Sequence, residues 1–115
     1  MCSSDLKKAG RPWDMAKGFD DSAPVGAITP VSHLPGHPVD GAIALWVNDE
    51  LRQSSDLSAM TWNVAEVLSH LSRLVTLQPG DLVFTGTPEG VGPVHRGDRV
   101  RAGCNGCSDL NIRIR

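Results

Sequence analysis

The stretch AIALWVNDELRQSS, residues 42–55, decides the fold. Residues 42–47 are the longest unbroken apolar run of the chain, and a polar run follows the turn residues Asn48-Asp49-Glu50. Two such runs around a short turn predict a β-hairpin, with an apolar strand and a polar partner strand. Six apolar residues cannot span a bilayer, which needs about 20. No membrane association is therefore expected.

The next element along the chain is a helix, predicted over about residues 64–76. Asn63 is a suitable N-cap, and Glu66 three residues later completes a capping-box pattern. Pro79-Gly80 ends the pattern. Six apolar residues at helical spacing form one stripe that is predicted to face the core, namely Val64, Val67, Leu68, Leu71, Leu74 and Val75.

Short apolar segments outside the hairpin predict further strands, over residues 24–32, 81–85, 98–102 and 110–115. In the last of them apolar and polar residues alternate with period two, which predicts one buried face. The expected fold class is therefore mainly β with one principal helix (α+β), arranged as a mixed β-sheet roll.

Composition limits the classes of protein that fit. A length of 115 residues suits one domain. Eleven basic and thirteen acidic residues give a net charge of −2, which offers no field for nucleic acid or anionic lipid. The N-terminus has no apolar segment typical of a secretion signal, and three cysteines cannot all pair within the chain. A reduced, cytoplasmic setting is the simplest interpretation.

Most candidate metal or redox residues favour structural interpretations. Cys104-x-x-Cys107 has no second ligand pair for zinc, and it lies in a predicted turn, not at the helix start of a thioredoxin-type motif. Pro35-Gly36 prevents His33 and His37 from sharing one helical face. Both are expected at the loop surface, and for His95, which follows the glycine-rich loop, a site role is the less favoured interpretation.

Two features leave a binding role open. Residues 86–92 contain three glycines after a predicted strand, so their backbone N–H groups could cradle an anion, or the segment could be a plain tight connection. Thr85 and Thr87 add hydroxyls there. Lys17 stands among aromatic and apolar residues, where it could act as a point charge for an anion or extend to solvent as an ordinary surface lysine.

Three stretches together resemble the fumarylacetoacetate hydrolase family. They are Gly10-Arg11-Pro12-Trp13 with Lys17-Gly18-Phe19-Asp20, the hairpin Trp46–Glu50, and LQPGDLVFTGTPEGVG at residues 77–92. The last stretch is highly specific to the family. The resemblance covers residues 7–115, and the segment around Lys17 is similar to the acylpyruvate and fumarylpyruvate hydrolase branch.

The resemblance also implies that part of the machinery lies elsewhere. Family members of this branch are about twice as long and carry their metal carboxylates and a His–Glu pair before the Gly-Arg-Pro-Trp stretch. None of these can be placed in this sequence. Residues 7–115 are therefore expected to be the C-terminal half of the catalytic domain, and residues 1–6 a non-native or frayed terminus.

The activity that the resemblance implies for the full-length parent is Mg²⁺- or Mn²⁺-dependent hydrolysis of a carbon–carbon bond in 2,4-dioxo acids. Lys17 would be the catalytic residue, and Gly86, Thr87 and Pro88 would bind the substrate carboxylate. The parent is expected to be a homodimer. The isolated chain is expected to be inactive and to lack metal ligands.

Other functions stay open at this point. Oxaloacetate decarboxylation or 2-oxo-acid isomerisation could use the same scaffold, because stabilising an enolate serves all three reactions. A non-catalytic β module that binds an anion through residues 86–92 belongs to a different class.

Overall fold

The computed structural model describes residue 10 and residues 18–115. Its four strands form one antiparallel sheet in the order β2-β1-β3-β4. The principal elements, in chain order, are β1 (Ala42–Val47), β2 (Glu50–Asp56), α1 (Val64–Leu71), β3 (Arg99–Cys104) and β4 (Leu110–Arg113). Short 3₁₀ helices lie at Val31–His33 and Leu57–Ala59. The predicted class, mainly β with one principal helix, is confirmed.

The β1–β2 hairpin forms as predicted, and its turn is tied to the next strand of the sheet. Asn48 and Asp49 have φ values of 51° and 70°, the left-handed geometry of a two-residue type I′ turn. The Asn48 side-chain amide donates to Asp98 Oδ1 at 2.8 Å, and its Oδ1 accepts from the Arg99 backbone N–H at 3.0 Å. These bonds fix the hairpin turn against the start of β3.

A bulge in β2 breaks the regular pairing of the hairpin. Leu45 pairs with Gln53 and Trp46 pairs with Leu51, so Arg52 is the extra residue. A bulge bends its strand and redirects the neighbouring groups. It lies at the point where residues 87–90 contact the sheet.

The buried core at the centre of the sheet is small. Val47 and Val100 face each other across β1 and β3 and are 5% and 9% exposed. Leu110 and Ile112 of β4 are half-buried while Asn111 and Arg113 are exposed, which confirms the predicted alternation. Large apolar side chains elsewhere, such as Phe84 and Ile28, stay exposed. No helix within the described ranges has the length and apolar character to cross a bilayer.

Helix α1 begins where the sequence predicts and ends earlier. Both capping-box bonds are present at 2.9 Å, between Asn63 Oδ1 and the Glu66 N–H and between Glu66 Oε2 and the Asn63 N–H. Beyond Leu71 the chain tightens into turns, and the Ser72 hydroxyl bonds to the Ser69 carbonyl. Such a bond competes with helical hydrogen bonding. The predicted end near residue 76 is wrong because the last apolar residues of the stripe are more than half exposed and have little to pack against.

Two of the predicted strands do not form. Residues 24–32 are irregular apart from the 3₁₀ turn, and residues 81–85 have no strand partner within the described ranges. A strand needs a neighbour to satisfy its N–H and C=O groups, and an apolar run alone does not provide one. Leu82 and Phe84 are accordingly more than half exposed.

Candidate substrate-binding site

The glycine-rich loop, residues 86–92, lies against the bulge of β2. Gly90 has a φ of +96°, which L side chains rarely adopt. A Cβ at this position would also collide with the Arg52 carbonyl oxygen. Glycine is therefore needed at residue 90 both for its backbone angle and for the close approach to β2.

Gln53, on β2, is hydrogen-bonded to the loop. The residue is 8% exposed, and it is the only buried polar or charged residue in the described part of the chain. Gln53 Nε2 donates to Thr87 Oγ1 at 2.8 Å and to the Pro88 carbonyl at 2.6 Å, with a longer contact of 3.3 Å to the Glu89 carbonyl. One side chain on β2 thus sets the position of three consecutive loop residues.

The loop forms one wall of a cavity of about 470 Å³. Thr85, Gly86, Thr87 and Pro88 contribute this wall, and the opposite side comes from β1, α1 and the segment between β2 and α1. The residues on that opposite side are Ile43, Asp56, Leu57, Ala59, Met60, Thr61, Trp62 and Val67. Apolar side chains thus predominate on the opposite side, apart from Asp56 and Thr61, and the loop side carries the hydroxyls of Thr85 and Thr87.

Among the described residues that line the cavity, the only charged side chain is Asp56, whose carboxylate already accepts hydrogen bonds. Asp56 accepts from the Ser58 hydroxyl at 2.6 Å, the Ser58 N–H at 2.9 Å and the Gly41 N–H at 3.1 Å. The bonds from Ser58, and then that from Gly41, hold the pKa of Asp56 below its usual range. No lysine or arginine lines the cavity among the described residues. The described part of the site therefore offers dipoles to an anion but no positive charge.

The other candidate residues lie apart from this cavity. His95 and His37 are exposed, and His37 Nδ1 contacts the Pro38 carbonyl at 3.0 Å. Cys104 and Cys107 are free thiols. The pKa of Cys104 is raised mainly by its burial and, to a smaller extent, by the neighbouring Cys107. A raised pKa keeps this thiol protonated and poorly nucleophilic. Within residues 18–115 no three histidine, cysteine or acidic side chains are grouped to hold a metal ion.

The structure brings together three of the four predicted site residues. Gly86, Thr87 and Pro88 lie side by side on the cavity wall, and their role in binding a substrate stays a prediction. Lys17 lies outside the described residues, as do residues 1–6. Gln53 was not predicted. Its strand, ELRQSSD, is polar apart from Leu51, so the local pattern gives no signal that Gln53 is buried.

Comparison with known proteins gives consistent matches. Residues 2–115 match the family model described as fumarylacetoacetate (FAA) hydrolase C-terminal. Oxaloacetate tautomerase FAHD1, mitochondrial, of Mus musculus is 39% identical over 113 residues, a match that covers 96% of this chain and 50% of that protein. The chain therefore spans about half the length of the curated relatives that it matches.

Solved structures agree with the fold. Fumarylpyruvate hydrolase from Pseudomonas aeruginosa, in complex with Mn²⁺ and pyruvate, matches with a TM-score of 0.88 and 49% identity, over 97% of this chain and 48% of that one. Maleylpyruvate hydrolase from Sphingobium sp. SYK-6, with manganese(II) and pyruvate, matches with a TM-score of 0.83 and 37% identity, over 87% and 38% of the two chains.

Proposed function

Because the chain belongs to the fumarylacetoacetate hydrolase family, we propose that it forms the carboxylate-binding side of a metal-dependent enzyme that hydrolyses a carbon–carbon bond in 2,4-dioxo acids. One observation carries this proposal: Thr87 is held on the wall of a cavity, in a chain 49% identical to a fumarylpyruvate hydrolase solved with pyruvate. Residues 7–115 would be the C-terminal half of the catalytic domain. A homodimer and a cytoplasmic location stay predictions.

The loop suits the carboxylate of a 2-oxo acid. The Thr87 hydroxyl can donate to a carboxylate oxygen, and a hydrogen bond to an ionised group is stronger than one between neutral groups. Gly86 has a φ of +110°, and no heavy atom lies within 4 Å of the point where a Cβ would stand, so its backbone is open to a ligand. The apolar side chains of the opposite wall, such as Ile43, Met60 and Val67, would contact the uncharged part of the substrate.

Positive charge for the reaction is assigned to Lys17. The described lining has no cation, so a carboxylate bound at Thr87 needs one from another part of the protein. In the proposed reaction a water molecule gives up a proton, its oxygen bonds to C4, and the C3–C4 bond breaks. The electron pair of the broken bond passes to the enolate oxygen of the leaving pyruvate unit, and C3 then takes up a proton in place of the one that the water lost. Lys17 would stabilise the negative charge that develops on oxygen.

The described residues do not by themselves fit the divalent metal of the solved relatives. No three suitable side chains are grouped within residues 18–115, and the bonds to Ser58 and Gly41 already engage Asp56. Metal ligands are therefore assigned to none of these residues. The Mn²⁺ of the relatives is hard enough to prefer carboxylate and carbonyl oxygens.

A second candidate function is tautomerisation of oxaloacetate, a 2-oxo-acid isomerisation. Relatives that are 39% identical over nearly the whole chain carry the name oxaloacetate tautomerase. The same hydroxyl could hold the carboxylate next to the oxo group in either substrate. The two reactions differ in what must reach the far end of the substrate, since hydrolysis needs an attacking water.

The experiment uses a chimera that joins residues 7–115 to the part of the P. aeruginosa enzyme that this chain does not match. Loss of the dioxo-acid absorbance measures fumarylpyruvate hydrolysis, and the enol absorbance of oxaloacetate measures tautomerisation. We expect hydrolysis, and we expect Thr87→Val to weaken it. Thr76→Val is the matched control, since Thr76 is exposed and does not line the cavity. Tautomerisation without hydrolysis would favour the second candidate, and equal loss in both variants would exclude a specific role for Thr87.

A further inference from the structure

The orientation of the Gln53 amide follows from its partners. Pro88 and Glu89 present carbonyl oxygens, which only accept hydrogen bonds, so the group that faces them must be the NH₂ end. The same nitrogen lies 2.8 Å from Thr87 Oγ1. An amide nitrogen donates and does not accept, so the Thr87 oxygen is the acceptor in this contact.

This direction restricts the Thr87 hydroxyl. A hydroxyl normally rotates to suit its neighbours and can donate or accept. Here one lone pair of Oγ1 is occupied by Gln53, so the Thr87 proton cannot point back toward β2. Thr87 is exposed and lines the cavity, so that proton is left available on the cavity side.

We infer that Gln53 is a positioning residue that commits the Thr87 hydroxyl to donate to a carboxylate in the cavity. Gln53 is buried behind the loop and does not line this cavity, so it acts through Thr87. The inference rests on the proposed function of Thr87, and it adds the selectivity of the site: an ionised acceptor is favoured, and a ligand that can only donate is rejected. The site thus takes 2-oxo carboxylates in preference to their amides.

Burial makes the contact effective. The Gln53 side chain has little access to water, so no solvent molecule can readily replace its N–H groups at Thr87. Gly90 keeps the loop close enough for these bonds, because its backbone packs directly on Arg52 next to Gln53. The bulge at Arg52, the close packing of Gly90 and the hydrogen bonds of Gln53 together fix the position of the Thr87 hydroxyl.

The test uses the full 115-residue chain, with the Thr87 methyl signal followed by NMR while pyruvate is added at millimolar concentrations. Gln53→Glu keeps the side-chain length but replaces the donor with an acceptor, which would draw the Thr87 proton back toward β2. We expect pyruvate binding to weaken about tenfold to a hundredfold, the size of one hydrogen bond to a charged group. Gln78→Glu makes the same chemical change at the only other glutamine, which is exposed, and should leave binding unchanged.

The pH profile separates positioning from a merely structural effect. A buried carboxyl has a raised pKa, so the carboxyl introduced by Gln53→Glu should take up a proton between about pH 8 and pH 5 and regain one donor. Pyruvate binding by this variant should then recover in part, while that of Gln53→Met should not. Pyruvamide, which is uncharged, should bind the wild-type chain more weakly than pyruvate.

Combining variants distinguishes the possible failures. In a Thr87→Val background, Gln53→Met should have no further effect on pyruvate binding, because the hydroxyl through which Gln53 acts is gone. Additive losses would overturn the inference. If Thr87→Val weakens binding but Gln53→Glu does not, the inference fails and the proposed function stands. If pyruvate neither shifts the Thr87 methyl signal of the wild-type chain nor inhibits the chimera, the inference and the proposed function both fail.

Discussion

The Arg52 carbonyl oxygen occupies the space that a Cβ on Gly90 would need. This contact joins the bulge of β2 to the loop that carries Thr87. Gly80 is a suitable comparison for Gly90, because its φ is nearly the same (+98° against +96°). Around Gly80, however, no heavy atom lies within 4 Å of the point where a Cβ would stand. The two glycines therefore share a backbone strain but differ in the space around them.

Gly90→Ala should destabilise the chain more than Gly80→Ala does. Both substitutions force alanine into a left-handed backbone, at a cost of about 1–2 kcal/mol. The collision with Arg52 should add about 1–3 kcal/mol in Gly90→Ala, as overpacking does elsewhere. Urea unfolding followed by tryptophan fluorescence measures both values. Equal free energies of unfolding would mean that the loop moves away from β2 at little cost.

Asp98 should make folding stability depend on acid pH. Hydrogen bonds from the His95 backbone N–H at 2.7 Å and from the Asn48 amide at 2.8 Å lower the pKa of Asp98. A carboxylate whose folded pKa is depressed contributes stability above its unfolded pKa of about 3.9. That contribution is lost as the pH falls through the lower, folded value.

The lowered pKa of Asp98 predicts how the stability of Asp98→Asn changes with pH. At neutral pH the variant should be less stable than wild type, and the difference should shrink as the pH falls below about 4. The effect should be modest, since water screens the site. Asp40→Asn, at an exposed position before β1, removes the same charge as a control. Thermal unfolding at several pH values measures the stability of each variant. If the stability difference between Asp98→Asn and wild type does not change with pH, the proposed contribution of the ionised Asp98 is wrong.

Local signals were enough to predict the hairpin and the start of α1. The turn at Asn48-Asp49 and the capping box at Asn63 and Glu66 each involve residues within a few positions of one another. Their geometry is therefore encoded in a short stretch, and the structure contains both. The same holds for the alternation in β4.

Features that depend on distant partners were not predictable from the sequence. Residues 81–85 have the composition of a strand, but pairing depends on a neighbour that the segment itself does not specify. Gln53 contacts Thr87 across 34 positions, and nothing in its polar strand marks it as buried. A binding role for Thr87 was favoured only through family resemblance, since spacing alone left a plain connection open as well.

The isolated 115-residue chain should not bind Mg²⁺ or Mn²⁺ at a stoichiometric site. Within residues 18–115 the acidic side chains are not grouped with two further ligands, and hard cations need several oxygen ligands at once. Isothermal titration of the chain and of the chimera measures this. Heat from the chimera alone is the expected result, and a micromolar site on the chain would place metal ligands in residues 1–17 or in a rearranged fold.

Lys17 and Thr87 should affect different kinetic constants of the chimera. Lys17→Ala should lower kcat about 10²–10³-fold, because the lysine is proposed to stabilise charge that develops only in the transition state. Thr87→Ala should mainly raise KM, about tenfold, because its hydrogen bond to the carboxylate exists in the bound substrate as well. Lys8→Ala is the matched control for the lysine, and Thr76→Ala, at an exposed position outside the cavity lining, is the matched control for the threonine. An unchanged kcat in Lys17→Ala would mean that the lysine is only a surface residue. If the purified 115-residue chain turns over substrate by itself, and Lys17→Ala abolishes that turnover, the chain needs no second half for catalysis.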